Sequence, residues 1–235
     1  MAIQHSTLCL SDPEQASTLA SIEAMRPQLS TDERDDLYKR KRPEAIAEYL
    51  ATRWIARKLA ETIIPGTASN DWYVVKSLDG RPALESRHGG CLHLSISHKY
   101  PWVAVAVSDS QPVGIDVDKV PEFTSPAQER SWIQSIASAG FASQELDSMH
   151  DHIAFDLIRR WTQKEAIAKA TSQVGLAGLR SIDTRRIESM ESQERNQFLW
   201  RSGNHIISLW CGQLDPKHFM TLAWEATNCN DTLVL

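Results

Sequence analysis

The chain has 235 residues, 42% of them hydrophobic, and a formal net charge of −5. No stretch supplies the run of about 18 apolar residues that a membrane-spanning helix needs, so a globular chain of one large domain or two small ones is expected. The acidic balance gives no global attraction for nucleic acid or an anionic membrane, and an anionic ligand must be held by a local group of cations.

Residues 1–10 place Gln4 and His5 among apolar residues and lack the basic start of a secretory signal, which makes the cytoplasm the expected compartment. Over residues 43–61 the spacing of Ile46, Leu50, Trp54 and Leu59 predicts a helix, with Pro43 suited to its first turn and Pro65-Gly66 beyond its end. Short β-type runs follow at 72–75, 91–97, 102–108 and 113–117. Turn residues such as Asp79-Gly80 and Tyr100-Pro101 separate them, so an antiparallel sheet is implied. Helices are predicted over 125–139 and from His152 to about Thr171, where Phe155, Ile158, Trp161 and Ala168 keep a 3.6-residue period. Strand-like runs return at 197–201, 205–210 and 219–226.

Helix followed by paired strands thus occurs twice, and the runs around 92–107 echo those around 206–224. This predicts an α+β chain of two similar halves, residues 1–110 and 111–235, joined near 109–113. The four cysteines, Cys9, Cys91, Cys211 and Cys229, are widely spaced without a Cys-x-x-Cys pair and read as reduced packing residues.

The segment Val113-Gly114-Ile115-Asp116-Val117-Asp118 carries the first chemical signal. Strand alternation puts Asp116 and Asp118 on one face, about 6.6 to 7 Å apart, while Ile115 and Val117 point into the core. Such a pair calls for a cation, a proton or water, and a hard divalent ion is the natural partner. A solvated strand end is the plainer alternative. The second signal is mid-helix, where spacings of three and four place Trp161, Lys164, Glu165 and Lys169 within about 140° of arc. Alone, this reads as a salt-bridged amphipathic face. Together the two segments supply three carboxylates for a divalent ion and lysines for developing phosphate charge, as phosphoryl transfer from a pyrophosphate requires.

Gly114-Ile115-Asp116-Val117-Asp118, followed about forty residues later by Trp161-x-x-Lys164-Glu165-Ala166-x-x-Lys169-Ala170, resembles the signature of the Sfp-type phosphopantetheinyl transferases. Ser97-His98 resembles that family's Ser-His element, Gly80-Arg81-Pro82 its Gly-Lys-Pro turn, and the helix bearing Arg53 and Arg57 its arginine-bearing first helix. The resemblance spans roughly residues 30–225.

The fold it implies is α+β, two similar α/β halves in pseudo-twofold arrangement with the active site in the cleft between them and the metal-binding motifs in the C-terminal half. The activity it implies is that of a holo-[acyl-carrier-protein] synthase: Mg²⁺-dependent transfer of the 4′-phosphopantetheine arm of coenzyme A to a serine of an apo acyl or peptidyl carrier protein. Mn²⁺ is the alternative metal, and a monomer that engages neither nucleic acid nor membrane is expected.

Carried over residue by residue, Asp116, Asp118 and Glu165 would surround the metal. Glu165 would assist in removing the serine proton, directly or through a water. Arg53, Lys76, Gly80, Arg81, Ser97 and His98 would hold coenzyme A. Lys169 would steady the pyrophosphate, and Lys164 would either do the same or belong to the same helix face. Trp161 would pack the site.

The chain departs from the family in three places. Arg81 replaces a lysine, Asp118 replaces a common glutamate, and the acidic stretch from Glu33 to Asp36 lies near where some members place lysines for the 3′-phosphate. The last leaves more of that role to Arg53. The run Lys39-Arg40-Lys41-Arg42 reads as a solvated surface or as a docking patch for an acidic carrier protein. The rival readings of the whole are a metal-dependent phosphodiesterase and a non-catalytic coenzyme A binding module.

Overall fold

The computed structural model describes residues 2–77, 80–147, 153–173, 175–189, 196–203 and 205–226. Asp79, His152 and Cys229, all named above, lie outside the described residues. Packing divides the chain between Val113 and Gly114 into two compact units.

Unit 1 runs β1 (Ile3–Cys9), α1 (Ala16–Ala24), α2 (Thr31–Tyr38), α3 (Pro43–Ile63), β2 (Trp72–Lys76), β3 (Pro82–Ser86), β4 (Cys91–Lys99) and β5 (Trp102–Ser108). The strands form one antiparallel sheet in the order β1-β5-β4-β3-β2. The helix predicted from residue 43 is α3. Pro43 opens it where its missing N–H costs nothing, and Tyr49, Leu50, Ile55, Ala56 and Ala60 are buried in one core with Val103, Val105 and Val107 of β5. Helix α2 was not anticipated, although Ser30-x-x-Glu33 is a capping box: Glu33 N–H donates to Ser30 Oγ at 3.2 Å, and Ser30 N–H donates to Glu33 Oε2 at 2.8 Å.

Unit 2 contains most of β6 (Val113–Lys119), then α4 (Pro126–Gly140), α5 (Ser143–Leu146), α6 (Ile153–Thr171), α7 (Gly175–Ser181), β7 (Ile187–Ser189), β8 (Gln197–Ser202), β9 (His205–Asp215) and β10 (His218–Glu225). Its sheet has the order β6-β10-β9-β8-β7. Each unit therefore lays its first strand beside its fifth and continues through fourth, third and second, so β4–β5 and β9–β10, which echo each other in sequence, hold equivalent places.

Helix α6 buries Ala166, Ile167 and Ala170 in one core with Trp200, Ile207, Leu209 and Ala223. Strand β6 lies directly on this helix at Gly114, where a Cβ would run into the carbonyl oxygen of Ala166 and the backbone nitrogen of Ala170. Only a residue without a side chain permits that approach.

Among the described cysteines, Cys211 is buried and Cys9 half-buried, and neither forms a disulfide. Cys91 is exposed at the start of β4, which corrects its reading as a packing residue. No described helix is long and apolar enough to cross a membrane.

Candidate functional site

The contact at Gly114 sets β6 against the C-terminal turns of α6 and brings the two signature segments together. Ile115 and Val117 are buried in the core, as alternation predicts, and Asp116 is only 6% exposed. Lys169 Nζ donates to Asp116 Oδ1 at 2.7 Å and to the Ile115 carbonyl at 2.9 Å. Asp118 Oδ1 accepts the backbone N–H of Lys119 at 2.8 Å. Glu165 lies one helical turn before Lys169. Burial, and then the negative charges of Asp116 and Asp118, push its carboxyl above the usual range, while Lys169 pulls it down.

Glu165 thus feels the charges of all three of the others, Asp116, Asp118 and Lys169. The hard, oxygen-donating, mutually repelling carboxylates fit a divalent cation by donor chemistry. Among the described residues, however, no three His, Cys, Asp or Glu side chains converge on one metal point. The ammonium of Lys169 lies against Asp116.

Lys164 is elsewhere. Its ammonium is fully buried, 2.8 Å from Glu145 Oε2 and 3.1 Å from the Leu179 carbonyl, with a third bond to the Ile182 carbonyl. The same group lies 4.9 Å above the Phe141 ring. Burial lowers its pKa, and the hydrogen bond it donates to Glu145 opposes that shift. Glu145 also accepts from Ala142 N at 3.0 Å, Thr184 N at 2.9 Å and Thr184 Oγ1 at 2.8 Å. The expectation that Lys164 grips a pyrophosphate is thereby corrected. All three ammonium protons are committed to ties among α5, α6, α7 and the residue after it, which leaves the second alternative, a member of the same helix face, on a margin of that face that turns inward. Trp161 packs beside Gly140 and Phe141, its ring centroid 6.4 Å from that of Phe141.

Unit 1 holds a pocket of about 620 Å³ whose walls include Tyr49, Arg53, Val74, Lys76, Gly80 and Pro82. The Arg53 guanidinium lies flat over the Tyr49 ring, 3.5 Å from its centroid, and Nη1 donates to Thr52 Oγ1 at 3.0 Å. Its buried Nε has no hydrogen-bond partner among the described residues. Gly80 sits at φ +81°, a left-handed turn that favours glycine. Lys76 extends to within 3.2 Å of Asp36 Oδ2, while Lys39 pairs with Oδ1 of the same carboxylate at 2.8 Å. The hydrogen bond from Lys39, with Lys76 beside it, holds Asp36 below the usual carboxylate range.

Of the six residues predicted to hold coenzyme A, this pocket brings together Arg53, Lys76 and Gly80. Arg81, Ser97 and His98 do not line it. Ser97 is buried on β4, and His98 Nδ1 lies 3.2 Å from Glu48 Oε2 on α3.

Tyr49 and Glu145, which organise these sites, escaped the sequence reading, and Glu33 was noticed there only as part of an acidic stretch. Glu33, besides capping α2, pairs with Arg57 at 2.6 Å and accepts Val74 N–H at 3.1 Å, both charges being buried. The capping box was the available signal. Tyr49, sandwiched between Arg53 and Arg40, gave none beyond its place on the apolar face. Glu145 gave none at all, because its partner Lys164 lies 19 residues away.

Residues 112–222 match the model of the 4′-phosphopantetheinyl transferase superfamily. Among solved structures, the chain is similar to the Thermotoga maritima holo-[acyl-carrier-protein] synthase (AcpS). The two are 17% identical over 57% of this chain and 89% of that chain, with a TM-score of 0.33. No curated protein gives a significant match.

Proposed function

We propose that the protein transfers the 4′-phosphopantetheine arm of coenzyme A to a serine of an apo acyl or peptidyl carrier protein. The observation that carries this reading is the 2.7 Å Lys169–Asp116 ion pair between β6, which also bears Asp118, and α6, which also bears Glu165, within the stretch that matches the transferase superfamily. The serine oxygen forms a bond to the phosphorus that bears the pantetheine arm. The bond from that phosphorus to the bridging oxygen breaks, and adenosine 3′,5′-bisphosphate leaves.

Asp116, Asp118 and Glu165 would hold a divalent cation, Mg²⁺ or Mn²⁺, which when bound supplies positive charge to the pyrophosphate oxygens. Lys169, released from Asp116, turns its ammonium to the leaving oxygens, where charge develops. Glu165 takes the serine proton, directly or through a water, since a base must lie within hydrogen-bond reach of the hydroxyl. Arg53, Lys76, Gly80, Arg81, Ser97 and His98 contact the nucleotide and phosphates of the donor.

Intact-protein mass spectrometry of apo carrier proteins, incubated with this protein, coenzyme A and Mg²⁺, tests the reading. A gain of one phosphopantetheine arm that a chelator abolishes is the expected result. No gain on any carrier, from folded protein that binds coenzyme A, would overturn it. Asp116→Ala is expected to abolish transfer with the circular dichroism spectrum unchanged, and near-normal activity in that variant would sink the metal assignment.

A further inference from the structure

The walls of the unit 1 pocket are poorly suited to a phosphate monoester. Among the described residues, Asp32, Asp35, Asp36 and Glu85 line it with Glu33, against the cations Lys39, Arg53 and Lys76. Glu33 is neutralised by the buried Arg57, which leaves four carboxylates facing three cations. Two of those cations, Lys39 and Lys76, are both drawn to Asp36. Arg40, stacked 4.0 Å from the Tyr49 centroid, brings the charges level without giving a positive excess. A phosphate monoester carries a charge of about −1.5 to −2 at pH 7 and is held where cations outnumber acids.

What the pocket does offer is suited to a neutral nucleoside. The stacked pair Arg53 and Tyr49 gives a flat, polarisable wall, and Val74, Val75 and Pro82 give an apolar one. The buried Arg53 Nε is a donor in want of an acceptor, which ring nitrogens and sugar oxygens supply. At Gly80 no side chain stands between the backbone and a ligand.

We propose that this pocket receives the nucleoside end of the donor without reading its 3′-phosphate, so that 3′-dephospho-coenzyme A serves as well as coenzyme A. The proposal rests on the coenzyme A reading given above and assigns Asp36 as the residue that sets the selectivity, by neutralising Lys39 and Lys76. It also revises the expectation that Arg53 takes over 3′-phosphate binding.

Isothermal titration of the full chain with each ligand tests it apart from catalysis. The two dissociation constants are expected to lie within about threefold of each other. Asp36→Asn, which frees both lysines, and Asp36→Lys should each shift the ratio of the two constants about tenfold in favour of coenzyme A, a change of about 1.4 kcal/mol. Wild-type protein that binds coenzyme A more than about tenfold tighter than the dephospho form, or a ratio unmoved in a folded Asp36→Asn variant, overturns the proposal. Equal binding of both ligands without transfer to any carrier supports the pocket assignment and sinks the transferase reading. Binding of neither overturns both.

Discussion

Replacing Lys164 with Met separates a structural lysine from a phosphate-binding one. The substitution keeps the length and flexibility of the side chain, removes the ammonium, and leaves Glu145 as a fully buried carboxylate. It also strips the carbonyls of Leu179 and Ile182 of their shared donor. Breaking a buried ion pair from one side costs about 3–5 kcal/mol, because the remaining charge is uncompensated. Glu145 keeps three donors, from Ala142 N and from Thr184 N and Oγ1, which places the cost near the lower end, at about 3 kcal/mol. With a urea m-value of about 2 kcal/mol/M, the unfolding midpoint of unit 2 should fall by about 1.5 M. The tryptophan signal of unit 2, with Trp200 buried in its core, reports the transition. The double variant Lys164→Met/Glu145→Leu should lose less than the sum of the two single losses, since neither charge is then left alone. A midpoint within about 0.3 M of wild type together with lost transfer activity is the behaviour of a solvent-facing phosphate ligand, and it would refute the assignment.

Gly114→Ala should destabilise unit 2 by about 1–3 kcal/mol or more, because the added methyl meets helix backbone that cannot rotate away. Transfer activity in the folded fraction should fall with it, as β6 is displaced from α6; an unchanged midpoint with full activity would show that the strand does not rest on the helix. The stability of unit 1 should decline as pH falls. Burial lowers the pKa of His5, and partial desolvation with the charge of Arg81 lowers that of the more exposed His93. The unfolded chain therefore takes up protons near 6.5 while the folded one does so only at lower pH, and stability present above 6.5 is lost as pH drops through and below that value. Denaturation midpoints at pH 7.5, 6.5 and 5.5, compared between wild type and His5→Gln/His93→Gln, check this. A slope identical in both proteins would show that these imidazoles do not carry the effect.

The long helices and most of the strands could be read from periodicity alone, since α3, α6 and β4 to β6 bury regular apolar faces. What periodicity could not give was the depth of each polar residue. Trp161, Lys164, Glu165 and Lys169 share an arc of the helix surface in any drawing of α6. The arc is about 140° wide, with the two lysines at its opposite margins. One margin turns inward to Glu145 and the carbonyls of Leu179 and Ile182, and the other meets β6. The sequence carried the identities of these residues but not the position of α5, whose single turn supplies the buried partner from 19 residues upstream. The same limit applies at Asp36. As part of an acidic stretch it was noticed, but its hold on Lys76, 40 residues away, depends on how α2 lies beside β2.

The matching strand orders of the two units sharpen the contrast between their chemistries. Each unit places a long helix between its first and second strands, α3 in one and α6 in the other. In unit 2 the first strand meets the helix through a glycine and carries two carboxylates to the helix residues Glu165 and Lys169. In unit 1 the first strand, β1, has no acid between Ile3 and Cys9, and the helix instead offers Arg53, Arg57 and Tyr49. Arg57 is paired with a buried carboxylate, whereas Arg53 stacks on Tyr49 in the wall of the pocket. A repeated scaffold has therefore come to hold an acidic, metal-suited group in one copy and an aromatic, nearly charge-balanced pocket in the other.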